Sequence, residues 1–206
     1  MPENPHSQFN ALQKHVYHLM TRELSPGLAY HGIHHTRDQV VPAVQQLCKT
    51  MTVDPGQERL IVTAALLHDI GFIKQYQDNE EIGAELAAAI LPDFGYNGAD
   101  IDTIGTCILA TSIPQRATNT GEQILCDADM VTLGQDIFLE TSMMLRREIA
   151  TFLQPITLRT WIRLQYDFLC SHRYYTSAAQ KLLNSGKEQN KAELEQLLPI
   201  LPSDHH

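Results

Sequence analysis

From Leu60 to Gly71 every residue except His68 and Asp69 is apolar or small. Such a run reads as a helix covered on most of its sides. Asp54 is placed to cap it, Pro55 suits the first helical position, and Gln57 completes a capping box. Gly71 stands where a left-handed C-terminal residue would sit. The segment therefore delivers a histidine and an aspartate, side by side, into the end of a buried helix. An aspartate there is unfavourable twice over. The helix macrodipole is negative at that end, and burial of an unpaired carboxylate costs several kcal/mol. Something positive must face Asp69. A divalent cation shared with His68 meets both demands.

The remaining sequence sets limits on partners and compartment. The 206 residues suffice for one domain with an ample core. The net charge is −9, and no basic cluster exceeds the pair Arg146-Arg147. That excludes a nucleic-acid polymer or an anionic membrane as the expected partner, but not a small phosphorylated substrate, which needs only a local positive centre. Cys48, Cys107, Cys126 and Cys170 are widely spaced, form no CxxC pair and sit in apolar helical contexts. They read as reduced core residues of a cytoplasmic protein. The opening Met1-Pro2-Glu3-Asn4-Pro5 has no signal-peptide character, and no apolar run is long enough to span a membrane. The tail Ser203-Asp204-His205-His206 is expected to fray and is given no weight as a metal site.

Helical periodicity organises the chain from end to end. A first helix is expected from about Ser7 to Glu23, broken at Ser25-Pro26-Gly27. The imidazole-rich turn Tyr30-His31-Gly32-Ile33-His34-His35-Thr36 leads into a helix marked by Val40, Val44, Leu47, Cys48 and Met51. After the central helix, Asp78-Asn79-Glu80-Glu81 opens another that reaches Leu91-Pro92. The next runs from about Ile101 to Ser112-Ile113-Pro114. Thr120-Gly121-Glu122-Gln123 resembles a capping box for a helix reaching Leu133-Gly134, which carries Asp127 and Asp129. Ile137 to Phe152 and Ile156 to His172 follow, divided at Gln154-Pro155. Thr176 to Asn184 and Lys187 to Leu197 are expected as two polar amphipathic helices on the outside. No segment alternates with period two. The expected fold is all-α, a compact bundle of about nine or ten helices in a single domain over 1–206.

His31, His34, His35 and His68 could each be an ordinary turn or core histidine. The unpaired carboxylate of Asp69, and a second carboxylate pair in Cys126-Asp127-Ala128-Asp129, favour ligation instead. Imidazole and carboxylate donors from separate helices suit Mn, Fe, Co, Ni, Zn or Mg. A histidine, then His-Asp after an apolar helix, then a distant aspartate resembles the signature of the HD-domain metal-dependent phosphohydrolases. The resemblance covers about Tyr30 to Gly134, with the helices of 135–200 as a continuation. It implies His35, His68, Asp69 and Asp129 as the ligands of one divalent ion. Tyr30-His31-x-x-x-His35 also resembles a segment of class I cyclic nucleotide phosphodiesterases, which makes His31 the proton donor to the leaving oxygen. His34 remains an alternative to His35. Asp127, two residues from Asp129 and so pointing away from it on a helix, is expected to orient a ligand histidine or face solvent. Many dinuclear relatives carry further histidines where Asn79 and Thr111 stand here, so a single protein-held metal is expected.

The resemblance implies hydrolysis of a phosphoester by metal-activated water, with Asp69 and Asp129 also orienting the water. Lys74, Arg37 and Arg116 are candidate phosphate contacts. A nucleotide or related small phosphoester is the expected substrate, with a slight tilt toward diesters. Two alternatives stand beside it. One is an alarmone-type pyrophosphohydrolase, although its Arg-rich stretch and Glu-Asp pair are not visible. The other is a metal- or nucleotide-binding regulatory module without turnover, which a missing ligand would favour.

Overall fold

The computed structural model describes residues 5–202. Residues 1–4 and the tail Ser203-Asp204-His205-His206 lie outside the described residues. Nine α-helices follow one another among the described residues: α1 (Pro5–Glu23), α2 (Val41–Met51), α3 (Pro55–Leu67), α4 (Asn79–Ile90), α5 (Gly98–Ala110), α6 (Thr120–Asp129), α7 (Phe138–Phe152), α8 (Leu158–Ser171) and α9 (Ser177–Leu197). A π-helical turn, His35–Val40, precedes α2, and 3-10 turns occupy Ile70–Ile73, Leu91–Phe94 and Val131–Gly134. No strand occurs among the described residues, and no helix there is long and apolar enough to cross a membrane. All four cysteines are free thiols, and only Cys170 is partly exposed.

α3 is the axis of the bundle, in contact with α1, α2, α4, α5 and α6. Every residue from Ile61 to Leu67 is buried, as expected of a helix with no polar face. Asp54 caps it by accepting from the Gly56 and Gln57 amides at 2.9 and 3.3 Å. The one hydroxyl in the run, Thr63, donates back to the Arg59 carbonyl and pairs with the Tyr96 hydroxyl at 2.8 Å. A buried polar atom is thereby satisfied inside the core.

Four local expectations need correction. α3 ends at Leu67, not at Gly71; His68 keeps right-handed helical angles, and Asp69 turns out of the helix at φ −100°, ψ 5°. Consecutive residues in an α-helix point about 100° apart, so leaving the helix lets both side chains of the dyad converge. Gly71 is not left-handed either. A Cβ there would collide with the Asn79 carbonyl, so its missing side chain is what lets the 3-10 turn Ile70–Ile73 lie against the start of α4. Gly71→Ala is expected to cost about 2–4 kcal/mol, measurable by urea denaturation, because backbone must move on both sides of the contact.

α6 begins one residue earlier in its capping than expected and ends sooner. Asn119 accepts from the Glu122 amide at 3.0 Å, and the Glu122 carboxylate accepts from Asn119 Nδ2 and from Thr118. The helix stops at Asp129, where the 3-10 turn Val131–Gly134 takes over. Finally, the two outer helices expected after Thr176 are one, α9, which continues through Gly186. A Cβ at Gly186 would collide with the Gly134 carbonyl, so glycine here serves close packing rather than a break. α9 is not merely external. Leu183, Lys187, Asn190 and Leu194 are buried, and Asn190 Nδ2 donates to the Leu133 and Gln135 carbonyls at 2.9 and 3.0 Å.

Candidate metal centre and adjoining pocket

The chain reaches the centre from three directions. The π-helical turn supplies His35, the end of α3 supplies His68 and Asp69, and the last residue of α6 supplies Asp129. A π turn, with its i→i+5 bond from the Val41 amide to the Thr36 carbonyl, is a device often found where a helix must present a side chain out of register. His35 and His68 are essentially inaccessible to solvent, and Asp69 is buried.

The donor atoms meet. His35 Nε2 lies 3.1 Å from Asp129 Oδ1 and 3.9 Å from Asp69 Oδ2. His68 Nε2 lies 3.2 Å from Asp69 Oδ2 and 3.6 Å from Asp129 Oδ1. Ligand atoms about 2.0–2.2 Å from a common ion sit roughly 3–3.5 Å from one another, so this spacing fits a shared cation. Among the described residues, His35, His68 and Asp129 form the one group whose donor atoms all lie close to one another; Asp69 Oδ2 adjoins the two imidazoles but falls outside that group.

Two further observations fit that group. His68 Nδ1 donates to the Ala65 carbonyl at 2.8 Å, and His35 Nδ1 donates to Gln39 Oε1 at 2.8 Å. Each bond fixes the tautomer that leaves Nε2 with a lone pair aimed inward, the usual support of a metal-ligating histidine. Meanwhile His68 Nε2 and Asp69 Oδ2 are buried atoms with no hydrogen-bond partner in the protein. Buried polar atoms are rarely left so, and a cation between them supplies what the chain does not.

Electrostatics point the same way. Burial would raise the Asp69 pKa, but His68 and then His31 and His35 outweigh it and hold the carboxyl below its ordinary range. The same opposition, with His35 and His68 prevailing, depresses Asp129. Both carboxylates are charged and able to ligate.

Other residues fall where the sequence reading did not put them. His34 stands outside the cluster. Asp127 neither supports a histidine nor meets solvent. It is buried, and it accepts from the Tyr175 amide, the Thr176 amide and the Thr176 hydroxyl at 2.7, 2.8 and 2.7 Å. Thr176 is the N-cap of α9, so Asp127 anchors that helix to α6. Asp127→Ala is expected to lower stability by about 2–4 kcal/mol, because three donors lose their acceptor, while leaving metal stoichiometry unchanged. Thermal melts with parallel metal analysis check both halves.

A pocket of about 340 Å³ opens beside the donor atoms. One side of it holds Tyr30, His31, Asp69, Asn79, Glu80, Thr111 and Asp129, and the other is built by α7 and α8 with the turn after α6. Asn79 and Thr111 thus line the site as expected, and Asn79 Oδ1 is a buried acceptor with no protein partner. The three basic residues named as phosphate contacts do not line it. Arg37 is exposed and makes a two-pronged pair with Asp38, both bonds at 2.7 Å. Lys74 is exposed beyond the 3-10 turn Ile70–Ile73, and Arg116 lies in a separate groove with Pro114 and Glu122.

Glu148 was not anticipated at all. It comes from α7, is fully buried, and accepts from the Tyr30 and His31 amides at 2.8 and 3.0 Å, from His31 Nδ1 at 2.5 Å and from the Tyr76 hydroxyl at 3.1 Å. Phe72 stacks on the other side of the His31 ring, centroids 4.5 Å apart. Burial alone would depress the His31 pKa, yet the bond to Glu148 and the nearby Asp69 more than reverse it and raise it. A signal existed. Phe138, Thr141, Leu145, Glu148 and Phe152 recur at spacings of three and four, so Glu148 lies on the buried stripe of α7, where a carboxylate needs a partner.

Comparison with known proteins completes the description. A family model described as "HD domain" matches residues 42–133. A solved structure of a predicted HD superfamily hydrolase from an uncultured Thermotogales bacterium is similar over 90% of this chain and 91% of its own. The two share 19% identity with a TM-score of 0.62, a likeness that concerns the fold. No curated protein sequence matches. His31 and His35 precede the matched stretch, and His35 opens the π-helical turn that leads into it.

Proposed function

We propose that the chain, whose residues 42–133 match the HD-domain family model, is a metal-dependent phosphohydrolase acting on a nucleotide or a related small phosphoester. The observation that carries this reading is the convergence of His35 Nε2, His68 Nε2, Asp69 Oδ2 and Asp129 Oδ1, with both imidazoles held in the ligating tautomer from behind. In this reading those four residues hold one divalent ion, of the group Mn, Fe, Ni, Co, Zn or Mg. Bound there, such an ion acidifies water and offsets charge on the phosphoryl oxygens.

The protein's own groups do the rest. Asp69 and Asp129 orient the attacking water. Its oxygen forms the new bond to phosphorus while the ester P–O bond breaks, and the electron pair of that bond leaves with the alkoxide. His31, charged against Glu148, gives its proton to the alkoxide and is reprotonated by the proton the water releases. Because no lysine or arginine lines the pocket, the substrate's charge is met by the metal and by His31. A single phosphate suits that arrangement better than a polyanion, and the net charge of −9 disfavours nucleic-acid polymers as partners.

Metal analysis of the purified protein tests the first half. An assay of nucleoside monophosphates, cyclic nucleotides and alarmones side by side, with Mn, Ni, Co or Mg added, tests the second. One equivalent of divalent metal and cleavage of a mononucleotide or cyclic ester is the expected result. Metal-free protein after expression in supplemented medium, or robust cleavage of single-stranded RNA with little on mononucleotides, would overturn the reading.

A further inference from the structure

The pocket beside the metal centre is unusual for a site that meets phosphorylated compounds. Away from the donor atoms its lining is largely apolar, with Leu133, Phe138, Leu145, Ile149, Trp161 and Phe168. Of the polar groups there, Gln165 and the buried Asn79 Oδ1 are open to a ligand, and others are engaged within the protein. Trp161 Nε1 donates to Ser142 Oγ at 2.9 Å, and the Thr141 hydroxyl donates to the Ile137 and Phe138 carbonyls. On the other side, the Thr111 hydroxyl donates to the Ile108 carbonyl at 2.7 Å. A ligand lying against α7 and α8 finds surface to bury and few partners to bond.

Charge narrows the choice further. The charged residues lining the pocket besides His31 are Asp69, Asp129 and Glu80, all acidic. The nearest arginine on α7, Arg146, donates to the Ile156 carbonyl instead. A second phosphate, lying past the metal ligands, would face Glu80 with no cation to meet it, and unscreened like charges at close range repel strongly.

We infer that the substrate carries one phosphoryl group on an uncharged aromatic or alkyl alcohol, whose apolar body fills the pocket between α7 and α8. This rests on the phosphohydrolase reading and, within it, favours a small apolar phosphoester over a nucleotide. The phosphoryl group sits at the metal ligands and His31, and the leaving alcohol lies against the apolar side chains of α7 and α8. A volume of about 340 Å³ is at the small end of ligand pockets and suits a ring or a short chain. Sugar phosphates and nucleoside di- and triphosphates are disfavoured, the first by unsatisfied hydroxyls and the others by charge.

Trp161 is the only tryptophan of the chain and lines the pocket, so its fluorescence reports occupancy without turnover. The protein, both in EDTA and with one equivalent of Mg, is titrated with hexyl phosphate, phenyl phosphate and glycerol phosphate. Saturable emission changes with the first two, at concentrations about tenfold or more below any response to glycerol phosphate, are expected, the discrimination an apolar pocket gives for a few buried methylenes. Equal responses, or none with hexyl and phenyl phosphate, overturn the inference. With metal restored, kcat/KM for phenyl phosphate is expected to exceed that for glycerol phosphate and ADP by about tenfold or more. Equal turnover of ADP or glycerol phosphate overturns the inference while leaving the hydrolase reading intact. Selective emission changes without hydrolysis of any ester sustain the pocket's preference and count against the hydrolase reading alone.

Discussion

Replacing Asp69 with alanine is expected to remove bound metal and all measurable hydrolysis together. Its carboxylate approaches both ligand imidazoles, 3.2 Å from His68 Nε2 and 3.9 Å from His35 Nε2, and without it the remaining donors come from three separate elements. Because the ion would join the π-helical turn, the end of α3 and the end of α6, its loss is also a loss of stability. A ligand that binds only the folded state stabilises by about 2.7 kcal/mol at a hundredfold excess over its Kd. For a chain of this size that is roughly 5–10 °C in Tm. The wild-type melt should therefore rise on metal addition and fall in EDTA, while Asp69→Ala shows no response to either. Metal retained near one equivalent in Asp69→Ala would remove this residue from the ligand set, however inactive the variant proved to be.

The central helix was legible from sequence because its constraints are local. Asp54, Pro55 and the apolar run to Leu67 each act within a turn or two, and each does in the structure what its chemistry dictates. The exit from α3 was not legible. Whether Gly71 takes positive φ or merely makes room depends on what packs against it, and the Asn79 carbonyl belongs to another helix. The same holds at Gly186, whose neighbour is Gly134. Read locally, Ser185-Gly186 looks like a break; packed against Gly134 at the end of the 3-10 turn Val131–Gly134, it is a contact point in an unbroken helix.

The site divides along the same line. Asp69 was singled out because burial of a carboxylate demands a partner, and that argument needs only the residues around it. Asp127 and Asp129 were separated correctly by helical geometry, but Asp127's partner, the start of α9, lies almost fifty residues on. The pocket was invisible. Phe138, Leu145, Ile149, Trp161 and Phe168 at helical spacing read as core, and nothing in a sequence tells a filled apolar face from one left open beside a metal centre. The phosphate contacts failed for a related reason. Exposed basic residues near a motif in sequence pair with whatever is adjacent, as Arg37 does with Asp38.

Glu148 carries the other large expected effect, and it separates orientation from ligation. With four donors converging on a fully buried carboxylate, Glu148→Ala leaves two backbone amides, an imidazole and a phenol without their acceptor. A cost of about 2–4 kcal/mol in stability follows, with turnover reduced toward the level of His31→Ala. That level is itself set by the loss of a positioned acid, about 10²–10⁴-fold, greatest on esters with poor leaving groups. Glu148→Gln is the sharper variant, since an amide oxygen can still accept from the Tyr30 and His31 amides. What it lacks is charge. The carboxylate raises the His31 pKa against the effect of burial, so its removal lowers that pKa. A general acid must be protonated to act. The alkaline limb of the rate profile should therefore move to lower pH in Glu148→Gln, while bound metal stays at the wild-type amount in this variant and in His31→Ala. An unmoved alkaline limb would show that the Glu148 carboxylate does not tune the proton donor, and metal lost from His31→Ala as completely as from Asp69→Ala would make His31 a ligand instead of the acid.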